Sequence, residues 1–126
     1  MTCPRLTVVG SFVVGLTIRV PRLPVLGESL LGDEFDLGPG GKGTNQAIAA
    51  ARLGADVSLL ACVGDDLLAQ VARDTFRQEG IDPEHIHTIP DVNTAVGVVH
   101  LSPEGENCIV GHLGANIHMR PEHVDA

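Results

Sequence analysis

Residues 38–64 constrain the fold most, because a glycine-rich loop, an alanine-rich stretch and an apolar run follow one another there. The loop reads GPGGKGTNQA over residues 38–47. Alanine has the highest helix propensity, so residues 44–54 are predicted to form a helix that ends at Gly54. The run ADVSLLACVG at 55–64 predicts a buried strand. A helix that leads into a buried strand is typical of a parallel α/β sheet.

The other elements are predicted from apolar runs, helical spacing and turn residues. They are a buried strand at 6–9, a strand at 12–20, a half-exposed strand at 28–38 interrupted near Gly32, a helix at 65–80 with Asp65 as N-cap and Gly80 as its end, a strand at 86–89, and the first turn of a helix at Pro121.

Two β-rich segments, at about 12–37 and 94–112, are expected to lie outside the parallel sheet. Polar residues alternate with apolar ones in the first segment, which is typical of a sheet with one solvated face. In the second segment, SPEG at 102–105 predicts the turn of a hairpin. The two segments are therefore predicted to form a small separate sheet.

Composition argues against several classes of partner. The chain has 126 residues, enough for one domain or part of a larger one, and a net charge of −8 with no cluster of lysine and arginine. Nucleic acid is therefore not an expected partner. No run of about 18 apolar residues is present, so no membrane span is expected. The absence of a signal-peptide pattern and three unpatterned cysteines predict a cytoplasmic protein with buried thiols.

The glycine loop does not match the P-loop that cradles nucleotide phosphates. That pattern is G-x-x-x-x-G-K-[S/T], and Gly41 and Lys42 supply its centre. The next residue is Gly43, which has no hydroxyl to bind magnesium. Asp36 stands where the first glycine belongs. The pattern therefore fails at both ends.

The dinucleotide pattern G-x-G-x-x-G does match the loop, at Gly38, Gly40 and Gly43. That fingerprint should follow the first buried strand of a β-α-β unit, which here is the run at 6–9. The segment before the loop, LLGDEFDL, is too polar for a central parallel strand. The context therefore disfavours dinucleotide binding.

Lys42 and Asn45 suggest a third kind of site at the same loop. Successive glycines let the backbone approach a ligand closely. A helix that starts near Thr44 points N–H groups and its positive dipole end at the loop, which suits hydroxyl groups or developing negative charge. The alternative is a tight turn in which Asn45 only satisfies backbone groups, and the residues alone leave both interpretations open.

The histidines and paired acids do not define a metal site. His85 and His87 would face the same side of a strand, but no third ligand has an evident spacing, and catalytic zinc needs three protein ligands. Asp65 and Asp66 fit the acidic start of a helix better than a magnesium site. No metal ligand is therefore expected in this chain.

The stretch GGKGTNQAIAAARLGADVSLLACVGDD at 40–66 resembles the N-terminal signature of the ribokinase-like (PfkB) carbohydrate kinases. The segments VVGSF, LGESLLG, EGID, EGEN and GAN also look like that family. The resemblance implies an α/β fold, a ribokinase-like three-layer α/β/α domain with a small β-sheet lid, and residues 1–126 would be its N-terminal portion. The lid would correspond to the segments at 12–37 and 94–112.

The resemblance also implies an activity, the phosphorylation of a hydroxyl on a sugar, polyol or nucleoside with ATP and Mg²⁺. In such enzymes the glycine loop holds the acceptor. The expected substrate-binding residues are therefore Gly40, Gly41, Lys42, Gly43 and Asn45. The family also includes dimers formed through the lid, so a homodimer is one implied arrangement.

Two positions depart from the family pattern after the first strand. The family shows G-S-x-N-x-D there, and its Asn and Asp grip the sugar. In this chain Val13 replaces the Asn and Gly15 replaces the Asp. Each lost hydrogen bond would normally contribute about 0.5–1.5 kcal/mol, so a less polar or larger acceptor than ribose is expected.

The catalytic base and ATP site of the family are not expected in this chain. The family places them in a Gly-Ala-Gly-Asp segment and near its C-terminus, and no such segment occurs among the 126 residues. No catalytic residue is therefore assigned, and the chain alone is expected to be inactive. A non-catalytic sugar-binding or dimerising fragment derived from such a kinase is the alternative.

Overall fold

The chain folds into two β-sheets, with two helices packed on the first of them. The computed structural model describes residues 3–125. In chain order the elements are β1 (Arg5–Val9), β2 (Val13–Arg19), β3 (Glu34–Gly40), α1 (Lys42–Arg52), β4 (Asp56–Gly64), α2 (Ala69–Glu79), β5 (Ile86–Ile89), β6 (Val96–Leu101), β7 (Asn107–His112), a 3₁₀ helix (Gly114–His118) and α3 (Pro121–Val124). Over the described range, no helix has the length and apolar character needed to cross a membrane.

The parallel sheet, with strand order β1-β4-β5, carries the core of the molecule. Its central strand is buried continuously from Leu59 to Gly64. Helices α1 and α2 pack against this strand, and the rings of Phe12 and Phe76 meet edge to face with centroids 5.6 Å apart. A strand that is covered on both faces has a continuous apolar sequence, which is why β4 was predictable.

Strand β1 forms where it was predicted but is more exposed than predicted. Leu6 is 46% exposed and Val9 is 56% exposed, so the expectation of a buried strand is wrong within residues 3–125. Over that range β1 pairs only with β4, along one edge. A strand with a neighbour on one side alone leaves part of its apolar surface in solvent.

The second sheet, with strand order β3-β2-β6-β7, is built from the two β-rich segments. Strand β2 pairs antiparallel with β3 and parallel with β6, while β6 and β7 form the predicted hairpin. The pairing aligns one glycine from each strand in a single row across the sheet. This glycine row consists of Gly38, Gly15, Gly97 and Gly111.

Helix α1 and strand β3 differ from their predicted boundaries. Helix α1 begins at Lys42 rather than near Thr44, so the glycine loop is shorter than predicted. Strand β3 covers Glu34–Gly40, whereas the predicted strand at 28–38 began earlier and ended earlier. Pairing with β2 fixes both ends of β3, and a strand partner is not visible in the local sequence.

The start of α2 also corrects a prediction. The helix covers Ala69–Glu79, and Asp65 is not its N-cap. The carboxylate of Asp66 instead accepts a hydrogen bond from the Ala69 N–H at 3.1 Å. The predicted end at Gly80 is confirmed, because this residue has a left-handed φ of 68°.

The cysteines are less buried than predicted. Cys62 is buried in β4, but Cys3 and Cys108 are exposed, so the prediction of buried thiols is correct for one residue of three. Burial raises the pKa of the Cys62 thiol, which keeps it in the protonated form. Cys62 therefore acts as a small apolar side chain of the core.

Candidate functional site

The turn from β3 into α1 depends on Gly41. Strand β3 ends at Gly40 and α1 begins at Lys42, so Gly41 alone makes the turn. Its φ is 98°, and a Cβ at this position would lie 2.5 Å from the carbonyl oxygen of Ser11. Both the backbone conformation and the neighbouring chain therefore exclude a side chain here.

The turn between β1 and β2 lies directly against the first turn of α1. A Cβ on Gly43 would lie 2.7 Å from the Cα of Gly10. The N–H and the hydroxyl of Thr44 both donate to the carbonyl of Ser11, at 3.3 and 2.9 Å. The start of α1 is therefore held at the C-terminal end of β1, the edge at which ligands bind in parallel α/β sheets.

Lys42 and Asn45 lie exposed on the first turn of α1. The backbone N–H of Asn45 donates to the carbonyl of Gly41 at 2.9 Å, as the first helical hydrogen bond. Within residues 3–125 no hydrogen bond involves the side chain of Asn45 or Lys42, and the first turn has no acidic residue. The two side chains and the helix dipole together favour hydroxyl or anionic groups at this point.

Val13 and Gly15 lie on β2 directly beside the glycine loop. Val13 is paired with Gly40, and Gly15 is paired with Gly38. Both positions lie on the face of the sheet opposite to that of Val14, whose side chain is buried in the core. The structure therefore brings the two positions that depart from the family pattern next to the loop.

Asn116 lies near the site, and the sequence analysis assigned it no role. Its Oδ1 accepts a hydrogen bond from the Phe12 N–H at 3.2 Å, and its Nδ2 donates to the Phe12 carbonyl at 2.8 Å. These two bonds hold the turn that follows β1. Asn116 also lines a cavity of about 190 Å³ together with Gly10 and Met119. The motif GAN was the only sequence feature that pointed to Asn116, and it does not indicate that Asn116 bonds to a residue 104 positions away.

Asp66 and Thr94 join the start of α2 to the segment before β6. The N–H and the hydroxyl of the buried Thr94 donate to the two carboxylate oxygens of Asp66, at 2.8 and 2.7 Å. Burial disfavours the charge on Asp66, but hydrogen bonds led by those of Thr94 outweigh it, so the pKa of Asp66 is lowered. The carboxylate is thus engaged by protein donors, which indicates a structural role.

His87 and His123 connect β5 to α3. Their rings stack with centroids 4.5 Å apart, and the sulfur of Cys62 lies 3.9 Å from His123 Nδ1. Among residues 3–125, no group of three or more histidine, cysteine, aspartate or glutamate side chains is arranged to hold a metal ion. The stacked pair therefore belongs to the packing between these elements.

Comparison with known families decides which family this loop and fold represent. The family model described as pfkB family carbohydrate kinase matches residues 4–126. The chain belongs to the pfkB family of carbohydrate kinases.

Relatives of this pfkB-family chain include sugar kinases from several organisms. A ribokinase of Haemophilus influenzae is 42% identical over 114 residues, which are 90% of this chain and 37% of that protein. A deoxyribokinase of Salmonella typhi is 34% identical over 120 residues, which are 95% of this chain and 39% of that protein. The structure of an Arabidopsis thaliana ribokinase complexed with ribose and ATP matches with a TM-score of 0.79 and 28% identity, over 92% of this chain and 38% of that one.

The pfkB-family assignment confirms the resemblance stated from the glycine loop and the helix and strand that follow it. It also confirms the ribokinase-like α/β fold class. The chain spans 37% to 39% of the length of the relatives named above, so it represents a part of the family's kinase fold. The roles of the individual loop residues stay predictions.

Proposed function

We propose that the protein to which this chain belongs transfers a phosphoryl group from ATP to a hydroxyl of a sugar or related small molecule. This chain supplies the acceptor-binding part. The supporting observation is the start of α1, where Lys42 and Asn45 stand exposed at the positive end of the helix dipole, beside the end of β1. The names ribokinase and deoxyribokinase among the relatives support the same reaction.

Each part of the loop has a proposed role toward the acceptor. Gly40 and Gly41 let the backbone come within hydrogen-bonding distance of the acceptor, because they carry no side chains. Gly43 contributes indirectly, because its lack of a side chain lets the start of α1 pack against Gly10. The amide of Asn45 donates to one acceptor hydroxyl and accepts from another. The ammonium group of Lys42 offsets the negative charge that gathers near the acceptor oxygen during transfer.

ATP and Mg²⁺ are proposed as donor and metal of the whole protein, and residues 3–125 do not fit either group. The loop has Gly43 where a P-loop has a hydroxyl residue. Over that range no acidic cluster is arranged for a metal ion. We therefore propose no catalytic residue in this chain, and we assign the base and the nucleotide site to other parts of the protein. A cytoplasmic location, where ATP is abundant, accords with this proposal.

An acceptor panel tests the proposed function directly. The complete gene product is incubated with ATP, Mg²⁺ and a range of pentoses, polyols and nucleosides, and ADP release is followed. We expect turnover with at least one acceptor. No turnover with any acceptor, for a protein that is folded by circular dichroism, would overturn the kinase assignment.

Asn45→Ala tests whether the loop binds the acceptor. We expect kcat/KM for the acceptor to fall by about tenfold or more, because one or two hydrogen bonds to the acceptor are lost. The free energy of unfolding should change by less than about 0.5 kcal/mol, because the residue is exposed. Gln46→Ala, a change at the neighbouring exposed position, is the matched control and should leave both quantities unchanged. An unchanged kcat/KM for Asn45→Ala would remove this residue from the site.

The four-stranded sheet is proposed as the lid of the site and as a surface for a homodimer. Leu37, Leu16, Val98 and Val110 form an apolar row on the face opposite the glycine row. On the same face, Phe35 and Val110 are 66% and 65% exposed. Exposed apolar surface of this kind marks an interaction site, and a second copy of the same sheet would cover it. Light scattering should show a dimer that Phe35→Ser weakens, whereas a monomeric parent protein would contradict the assignment.

A further inference from the structure

The glycine row is not required by the fold of the described residues. None of its four glycines has a positive φ. A Cβ added to any of them would come no closer than 3.5 Å to another atom, and those nearest atoms belong to the same sheet. Glycine inside a strand weakens the strand and often marks a place where a ligand or another backbone approaches closely. Four such positions in register therefore point to something that lies on this surface.

The glycines near the start of α1 differ from the glycine row, because neighbouring backbone leaves no room for a side chain there. A Cβ on Gly43 would lie 2.7 Å from the Cα of Gly10, so packing within the chain explains both residues. No comparable contact explains Gly15 or Gly97, whose nearest neighbours to an added Cβ lie at 3.7 Å. Each of the four positions has room for a Cβ, so packing within the described residues does not explain why glycine occupies them.

The glycine row forms the floor of a shallow trough. Val13 borders it on the side of the loop, with its Cγ1 3.7 Å from a Cβ added at Gly97. The spacing between strands makes the floor roughly 14 Å long across four strands. On the other side, the next row on the same face consists of Asp36, Thr17, Val99 and Ile109.

The trough opens beside the loop that is proposed to hold the acceptor. Its border residue Val13 is paired with Gly40, which leads into the turn at Gly41. A hydroxylated ring bound by Lys42 and Asn45 would therefore lie at the edge of the trough. Any large substituent on that ring has the trough as the adjacent space.

We propose that the acceptor is a nucleoside, whose furanose binds at the glycine loop and whose planar base lies flat on the glycine row. This inference rests on the proposed kinase function. A planar ring matches a flat floor of peptide groups, and Val13 and Val99 offer apolar contact at its edges. The hydroxyl of Thr17 and the carboxylate of Asp36 suit the polar edge of a base. A free pentose or polyol leaves this space unused.

Acceptor kinetics of the complete protein test the inference. kcat/KM is measured with ATP for adenosine, inosine, uridine and ribose. We expect at least one nucleoside to exceed ribose by about tenfold or more. A preference for ribose would overturn the nucleoside assignment and leave the kinase function in place. Absence of turnover with all four acceptors would count against the kinase function. In that case calorimetric titration of the protein with the three nucleosides tests the inference separately, and absence of binding would overturn the nucleoside assignment.

Gly97→Leu tests the place of the base, because the new side chain would fill the trough. We expect kcat/KM for the nucleoside to fall by about tenfold or more, while that for ribose changes by less than about threefold. Arg73→Leu, which places a leucine at an exposed position of α2, outside this sheet, is the control and should change neither. An equal loss with both acceptors would overturn the inference, since the row would then pack against another segment. If Gly97→Leu does not fold, Gly97→Ala should show the same selective loss at smaller size, and no selective loss would again overturn it.

Discussion

The two sheets of this chain place their apolar residues in opposite ways. In the parallel sheet, β4 is buried from Leu59 onward and is covered by α1 and α2. In the four-stranded sheet, Phe35 and Val110 are mostly exposed, and the other face carries the glycine row. The first arrangement concentrates the stability of the chain in one layer. The second leaves both faces available for contacts with other molecules, which is where recognition is expected.

Replacing one phenylalanine in each region gives the largest expected contrast. Phe76→Ala should lower the free energy of unfolding by about 3–5 kcal/mol, because the ring is fully buried against Phe12. Phe35→Ala should lower it by less than about 1 kcal/mol, because most of that ring is already in solvent. Urea unfolding of both variants measures the difference. Equal losses would mean that the four-stranded sheet contributes as much stability as the core.

Asp66→Asn tests the hydrogen bonds that connect the two regions through Thr94. We expect a loss of about 1.5–3 kcal/mol at neutral pH, the usual range for hydrogen bonds to a charged group. Because the pKa of Asp66 is lower in the folded chain, its stabilisation is present above the ordinary value of 3.8 and is lost as the pH falls below it. The difference between parent and variant should therefore shrink in urea unfolding at about pH 3. Asp65→Asn, the adjacent control, should change the free energy of unfolding at neutral pH by less than about 0.5 kcal/mol, because Asp65 is exposed.

Adding one methyl group to a glycine in each region gives the smallest contrast. Gly43→Ala should destabilise the chain by about 1–3 kcal/mol, because the new Cβ would lie 2.7 Å from the Cα of Gly10 and the backbone must shift. Gly97→Ala should leave stability unchanged or raise it by about 0.5 kcal/mol, because the added group has room and alanine restricts the unfolded chain. Thermal unfolding distinguishes the two. A large loss at Gly97 would show that the glycine row is needed for packing.

The sequence predicted the elements whose signals are local. The apolar run of β4 and the alanines of α1 indicated a strand and a helix, because burial and helix propensity act within a few residues. The positions of Lys42 and Asn45 at the start of that helix followed from the same signals, although the helix begins two residues earlier than predicted. Their binding role stays a prediction.

Features that depend on distant partners could not be predicted in the same way. The glycine row exists only because the pairing of four strands aligns residues from both β-rich segments. The exposure of β1 depends on how many neighbours the strand has, and the choice of Asp66 over Asp65 depends on where Thr94 lies. None of these relations produces a periodic pattern of residues in the local sequence.

The hydrogen bonds between Asn116 and Phe12 restrict the order in which parts of the chain can fold during synthesis. They join residues 104 positions apart, so they cannot form until Asn116 has been translated. Strand β4 and the two helices beside it have all their residues earlier in the chain and can assemble first. The turn that lies against Gly43 is therefore stabilised by these bonds only after α1 has formed. Contacts between residues so far apart in sequence slow folding.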